Sequence, residues 1–148
     1  MPEKETLKRA AKDKAEGKSP STQAGEFVRE EIEHIREGKH GARSAKQAIA
    51  IGLSKARRAG VKLSPPEKGE ASKETREQAK RDLKKGRKGA KKKPSAKRSR
   101  ATLRALKREG RSAASKTALS RQAHKAAAKR SAAARSRSAK KAAKTRKK

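Results

Sequence analysis

The residues best suited to metal or acid–base chemistry in this cysteine-free chain are its three histidines, His34, His40 and His124. His34 and His40 are six positions apart, outside the i,i+4 spacing that places two ligands on one helix face, and no His-Glu-x-x-His string is present. We therefore predict solvent-exposed or linker histidines, with no metal site and no cofactor.

Two further patterns resemble catalytic motifs without completing one. Gly17-Lys18-Ser19 is similar to the end of a phosphate-binding loop, but position 12 is Lys rather than Gly, and no strand precedes it. A cluster of glutamates on one predicted helix could supply acid/base pairs: Glu26, Glu30, Glu31, Glu33 and Glu37. We favour a solvated helix face, or partners for Arg29, Arg36, Arg57 and Arg58. The sequence therefore predicts that the protein is not an enzyme.

The strongest chemical signal is a run of positive charge toward the C-terminus. Residues 94–148 contain 20 Lys and Arg but one acid, Glu109. Duplex DNA carries one negative charge per ~1.7 Å of its axis. With 20 cations in 55 residues, a helix that rises ~1.5 Å per residue would present one cation about every 4 Å. Asn is absent and Gln is scarce, so few side chains could read bases. The predicted nucleic-acid-binding residues are Arg87, Lys88, Lys91, Lys92, Lys93, Lys97, Arg98, Arg100, Arg104, Lys107, Arg108, Arg111, Lys116, Arg121, Lys125, Lys129, Arg130, Arg135, Arg137, Lys140, Lys141, Lys144, Arg146, Lys147 and Lys148.

The composition limits the elements that could position these residues. The 148 residues carry a formal net charge of +32, and 29 of them are Ala, whereas large apolar side chains number 15. So few large apolar residues cannot offset the conformational entropy of the whole chain, at roughly 1–2 kcal/mol per residue. We therefore expect a mostly α-helical protein with extensive disorder, and not a single globular domain that spans the chain.

Changes in composition divide the chain into four segments. We predict a weak N-terminal helix over 1–18, a helical hairpin over 19–66, and a charged helix with a flexible basic linker over 67–93. Nothing in the sequence holds that charged helix (72–85) to the hairpin. Residues 94–148 are a low-complexity tail, disordered alone and partly helical when bound to a polyanion, with helix candidates over 95–109, ended by Gly110, and 118–135.

Local signals outline the hairpin. Ser19 with Pro20 opens the first helix and Gly38 follows its end, while Ser44 opens a second helix that stops at Gly60. The six-residue connection over 38–43 is longer than the three or four residues of a DNA-reading helix-turn-helix, which favours a plain hairpin. Its predicted core or partner face consists of Phe27, Val28, Ile32, Ile35, Ile49 and Leu53.

Two resemblances accompany this organisation. Residues 19–69, with the strings FVREEI at 27–32 and KQAIAIGLSKARRAG at 46–60, resemble a small basic bacterial domain family of unknown function. This resemblance covers about a third of the chain and implies no activity. The tail, with AAAKR at 126–130 and KKAAK at 140–144, is similar to linker-histone C-terminal tails and to histone-like bacterial nucleoid proteins, but the winged-helix domain of linker histones is missing.

These observations predict a non-enzymatic, sequence-independent, histone-like DNA-binding protein of the cytoplasm, associated with the nucleoid. DNA is favoured over RNA. The helical head (residues 1–66) is expected to dimerise or to bind a protein partner. One alternative is an RNA- or ribosome-associated protein. A second is a stress or interaction protein whose head binds a protein while the tail only tethers. We expect no small-molecule substrate and no membrane role, since the longest apolar run has six residues.

Overall fold

The computed structural model describes residues 1–89 and 95–146, and regular structure in these residues is helical. The helices are α1 (Lys4–Ala15), α2 (Pro20–Arg36), α3 (Ala45–Arg58), α4 (Lys73–Arg87), α5 (Ala96–Lys107), α6 (Lys116–Ala128) and α7 (Ala132–Arg146). A single 3₁₀ turn, Ser112–Ala114, precedes α6. None of the described helices is both long enough and apolar enough to cross a membrane.

The ends of the helices follow the local sequence. The side chains of Ser19 and Ser44 accept hydrogen bonds from backbone N–H groups in the first turns of α2 and α3, as predicted. Gly38 ends α2 with φ +77°, its N–H donates to the Ile35 carbonyl, and the following N–H donates to the His34 carbonyl. This pair of bonds is the Schellman arrangement, which requires the left-handed conformation that glycine adopts easily. The predicted end of the first helix is therefore confirmed.

Helices α2 and α3 pack antiparallel, and small residues allow them to approach closely. Ala48 and Ala56 are fully buried in this interface. Between them lies Gly52, where an added Cβ would be only 2.6 Å from the Cα of Val28. A glycine in a helix interior costs up to about 1 kcal/mol relative to alanine, and here it lets the two backbones come into direct contact.

The core consists of two clusters in which alanine is the commonest residue. One contains Ala10, Ala24, Phe27, Ala56 and Val61, and the other contains Ile32, Ile35, Ala42, Ala48, Ala113 and Ala114. Of the predicted core or partner-face residues, Phe27, Ile32 and Ile35 are buried, whereas Val28, Ile49 and Leu53 are half-buried.

Helix α4 packs against α3, and the expectation that nothing holds the charged helix to the head is wrong. Ala79 and Asp82 of α4 are buried. The Asp82 carboxylate accepts hydrogen bonds from Ser54 Oγ at 2.6 Å and from Arg58 Nε at 2.7 Å. Burial raises the pKa of Asp82, but these bonds, together with one from Gln78, outweigh burial and hold the pKa below its ordinary value of 3.8. The hydrogen bonds of Asp82 therefore hold α4 to α3, which the small number of large apolar residues in α4 did not lead us to expect.

The expectation of extensive disorder is also wrong, because residues 95–146 form ordered helices. The N–H groups of Gly41 and Ala42 donate to the carbonyls of Leu106 and Gly110 at 2.9 and 3.1 Å. Ala113 and Ala114 complete the second core cluster. A count of large apolar residues misses this packing, since alanine loses no side-chain entropy on burial and has the highest helix propensity.

The helices of the tail differ in part from those predicted. Helix α5 corresponds to the helix expected over 95–109, but the helix expected over 118–135 is divided into α6 and α7. The break falls at Ser131, whose hydroxyl accepts a hydrogen bond from the N–H of Ala134 and so caps α7. Residues 90–93 of the predicted flexible linker, and Pro94 of the predicted tail, lie outside the described residues.

Candidate functional site

The predicted nucleic-acid-binding side chains within the described residues are exposed. Arg87 and Lys88 lie at the end of α4, and the others lie on α5, α6, α7 and their connections. The segment over 95–146 presents 18 cations: Lys97, Arg98, Arg100, Arg104, Lys107, Arg108, Arg111, Lys116, Arg121, Lys125, Lys129, Arg130, Arg135, Arg137, Lys140, Lys141, Lys144 and Arg146. Lys91, Lys92, Lys93, Lys147 and Lys148 lie outside the described residues.

Very little negative charge opposes these cations from within their own segment. The single carboxylate of residues 95–146 belongs to Glu109, and it lies 3.8 Å from Nε of Arg43, a residue of the head. Residues 1–89, in contrast, contain 14 carboxylates among 24 Lys and Arg. The positive potential of the protein is therefore concentrated on α5–α7.

A groove joins this basic surface to the head. It lies where the beginning of α3 meets the 3₁₀ turn and α6, and its cationic lining comes from Arg43, Lys46, Arg121 and Lys125. Hydroxyl groups of Ser44, Ser112, Ser115 and Thr117 share the lining. The sequence analysis did not include Arg43 and Lys46 among the nucleic-acid-binding residues. Their position on either side of Ser44, the predicted start of α3, could have indicated them. Cations, hydroxyls and the first N–H groups of a helix are groups that bind phosphate oxygens.

A second polar site is buried between α2 and α3. Glu30 and Glu31 have side chains only 2% and 1% exposed, and Nζ of Lys55 lies 3.5 Å from Oε1 of Glu30 and 2.5 Å from Oε2 of Glu31. Oε1 of Glu31 is 3.0 Å from Nε2 of His40. The interpretation of these glutamates as a solvated face or as partners of arginine is wrong for Glu30 and Glu31, although Glu33 does pair with Arg29.

His34 extends this buried cluster toward the surface. Its Nε2 is 2.8 Å from Oε1 of Glu3, which also lies 3.2 Å from Nζ of Lys39. The hydrogen bond from His34 and then that from Lys39 lower the pKa of Glu3 below its ordinary value. The rings of His34 and His40 meet edge to face with their centroids 6.1 Å apart.

In the structure, His34 and His40 therefore lie close together, although they are six positions apart in the sequence. His40 lies in the connection between α2 and α3, so the expectation of a linker histidine is confirmed for it, although its side chain is only 9% exposed. The expectation is wrong for His34, which lies within α2 and has a side chain only 14% exposed. His124, on α6, is exposed as expected. The signal in the sequence was the Glu31-Ile32-Glu33-His34 string, because residues three apart share one helix face.

Comparison with known proteins gives a family match to part of the chain. No curated protein and no solved structure matches the chain. The segment that matches the family model runs from the end of α1 through α2 and α3 and stops before α4 and the basic helices. It therefore includes the buried glutamates, His34 and His40. Residues 12–69 match a family of unknown function (DUF6496), which supports the resemblance of this segment to an uncharacterised domain.

Proposed function

We propose that this protein is a non-enzymatic, sequence-independent DNA-binding protein, associated with the nucleoid, that contacts the phosphate backbone through α5–α7. The observation that carries the proposal is the exposure of 18 cations in residues 95–146, where the only carboxylate is that of Glu109. Protein solubility requires far less charge of one sign. A polyanion is the partner whose charge complements this surface.

The dimensions of the basic helices suit a phosphate backbone. Helix α7 has 15 residues, which corresponds to a length of about 22 Å. Its cations are Arg135, Arg137, Lys140, Lys141, Lys144 and Arg146. Duplex DNA presents about 13 phosphate charges along the same length, so one helix can neutralise several at once.

The groove between α3 and α6 favours contact with phosphate over contact with base edges. Its lining provides guanidinium, ammonium and hydroxyl donors, with Gln122 as its only side-chain amide. Asn and Gln are the residues that read adenine, and the chain has no Asn. The described surface also carries no exposed Phe, Tyr or Trp ring on which an unpaired base could stack, because the single Phe is buried and the chain has no Tyr or Trp. These features favour duplex DNA over single strands or RNA loops.

The proposal is tested by a salt titration of binding to two unrelated 30-bp duplexes. If about ten cations neutralise phosphates, the slope of log K against log salt should be about −9, with equal affinity for both duplexes. Replacement of eight cations by Gln should flatten the slope by about seven. The variant changes Arg121, Lys125, Lys129, Arg130, Arg135, Arg137, Lys140 and Lys144.

A matched control removes the same amount of charge from residues 1–89. Eight exposed lysines there make no ion pair in the described residues and can also be changed to Gln: Lys4, Lys8, Lys14, Lys62, Lys68, Lys73, Lys84 and Lys85. This control should flatten the slope by much less than the α6–α7 variant. Equal flattening, or a hundredfold preference for one duplex, would contradict the proposal. Tighter binding to a structured RNA at every salt concentration would favour the RNA-associated alternative.

A further inference from the structure

We propose that Glu31, His34 and His40 form a binding site for one divalent transition-metal ion, of which Zn²⁺ is the representative. One ligand atom from each of the three residues lies within 4.8 Å of the other two. Two imidazoles and one carboxylate are a set of donors that zinc binds in proteins, with a fourth position left to water or another ligand. The site lies outside the proposed DNA-binding surface and is independent of it.

The fold assembles the three donors from a short stretch of chain. Glu31 and His34 are three residues apart on α2, so their side chains leave the helix on the same face. The turn at Gly38 then reverses the chain and returns His40 to that face. Because both the helix and the turn are defined by backbone hydrogen bonds, the donors are close before any ion binds.

The contacts of His40 leave a place for a cation. Its Nδ1 lies 3.1 Å from the carbonyl oxygen of Gly41, and its Nε2 lies 3.0 Å from Oε1 of Glu31. Both oxygens can only accept, whereas a neutral imidazole has a single N–H. If Nδ1–H donates to the carbonyl, the lone pair of Nε2 faces the carboxylate, and a cation between them resolves the repulsion. A ring N–H donated to a backbone carbonyl is also the usual outer contact of a metal-bound histidine.

The charge of the buried cluster of Glu30, Glu31 and Lys55 also favours a bound cation. The carboxylates of Glu30 and Glu31 contribute two negative charges in a nearly solvent-free position, and Lys55 contributes one positive charge. Oε1 of Glu30 and Oε2 of Glu31 lie beside Nζ of Lys55, and Oε2 of Glu30 accepts a hydrogen bond from the N–H of Glu3. Oε1 of Glu31 is therefore the oxygen that faces His40 and the proposed site. Buried charge without full compensation is costly. A divalent ion would supply the missing positive charge.

An ion can reach the site from the side of His34. That ring is 14% exposed, and its neighbour Glu3 is 52% exposed. The carboxylate of Glu3 already contacts Nε2 of His34 and so orients the ring. Carboxylates that hold a ligating histidine in this way typically change metal affinity by 10–100-fold when they are mutated.

The first test is a titration of the full-length, metal-free protein with Zn²⁺ in competition with a chromophoric chelator. We expect one equivalent to bind. His34→Gln and His40→Gln should each weaken binding by about tenfold or more. His124→Gln is the matched control, because it removes the same side chain from an exposed position on α6, and it should leave the affinity unchanged. Equal losses in all three variants would show non-specific binding and overturn the proposal.

A second measurement uses the unaltered chain, so it does not depend on how a variant folds. The imidazole C–H resonances of three histidines can be followed by NMR as Zn²⁺ is added. The resonances of His34 and His40 should change up to one equivalent and then stop, while those of His124 should stay in place. Absence of stoichiometric binding, or changes confined to His124, would overturn the proposal and would show that a proton alone bridges His40 and Glu31.

Discussion

The four helices α1–α4 and the three helices α5–α7 are similar in local structure but differ in how far carboxylates balance their cations. In the first group, cations lie against carboxylates: Arg9 with Glu26 at 2.7 Å, Lys18 with Asp13 at 2.8 Å and Arg58 with Asp82 at 2.7 Å. The second group has 18 cations and one carboxylate of its own. Several Lys and Arg of the first group are therefore held in ion pairs, whereas those of the second group have almost no carboxylates of their own to pair with.

The two groups also differ in what they bury. Helices α1–α3 bury Phe27, Ile32 and Ile35 together with several alanines. In the described part of the second group, Ala113 and Ala114 are the buried apolar residues, and Leu106 and Leu119 are half-buried. Helix α7 depends on intrinsic propensity and on its Ser131 cap. Helical structure in this chain is consequently a poor guide to which residues contribute to global stability.

The largest expected effect on stability is in the first group. Phe27→Ala should lower the free energy of unfolding by about 3–5 kcal/mol, since the ring is 1% exposed at the centre of a core cluster. Leu103→Ala in α5 is the matched control, because Leu103 is 43% exposed, and it should cost less than about 0.5 kcal/mol. Urea unfolding followed by circular dichroism measures both. A Phe27→Ala protein as stable as its parent would contradict the assignment of the core.

A pair of glycine substitutions tests the close approach of α2 and α3. Gly52→Ala should cost about 1–3 kcal/mol, because the added Cβ would meet the backbone of Val28 at 2.6 and 2.9 Å. Gly25→Ala, in the exposed interior of α2 with nothing near its Cβ, should gain about 0.5–1 kcal/mol. Thermal unfolding of the two variants should shift in opposite directions. A shift of the same sign would mean that the helices can move apart without cost.

The contact between α4 and α3 should weaken in acid. The pKa of Asp82 is lower in the folded protein than in the unfolded chain, so the unfolded chain binds more protons as the pH falls. The contribution of Asp82 is thus complete above about pH 5 and is lost as the pH falls through its folded pKa. Asp82→Asn should cost about 1–3 kcal/mol at neutral pH, and less at acidic pH. A cost that is equal at pH 7 and pH 3 would show that ionisation of Asp82 is unimportant.

The smallest effect on stability should come from removal of α7. Its side chains are exposed apart from half-buried Ala134, with Thr145 outside the described side chains. Deletion of residues 131–148 should change the free energy of unfolding by less than about 0.5 kcal/mol. The same deletion removes eight Lys and Arg, so it should flatten the salt dependence of DNA binding by up to about seven. A large loss of stability would show that α7 packs against the head in solution.

Features that depend on a few neighbouring residues could be predicted from the sequence. The caps at Ser19 and Ser44 and the end of α2 at Gly38 follow from side-chain and backbone hydrogen bonds within one helical turn. The docking of α4 could not be predicted in the same way. It depends on Asp82 meeting Ser54 and Arg58, which are more than 20 positions away in the chain.

The sequence by itself determined the helical class, the ends of the hairpin helices and the concentration of positive charge in residues 94–148, because propensity, caps and composition act over short distances. Only the tertiary structure decided that alanines form most of the core, that the tail packs against the Gly41–Ala42 connection, and that Glu31, His34 and His40 meet in one place. The physical reason is that burial is a property of neighbours in space. A carboxylate or an imidazole has the same symbol in the sequence whether it faces water or a buried charge.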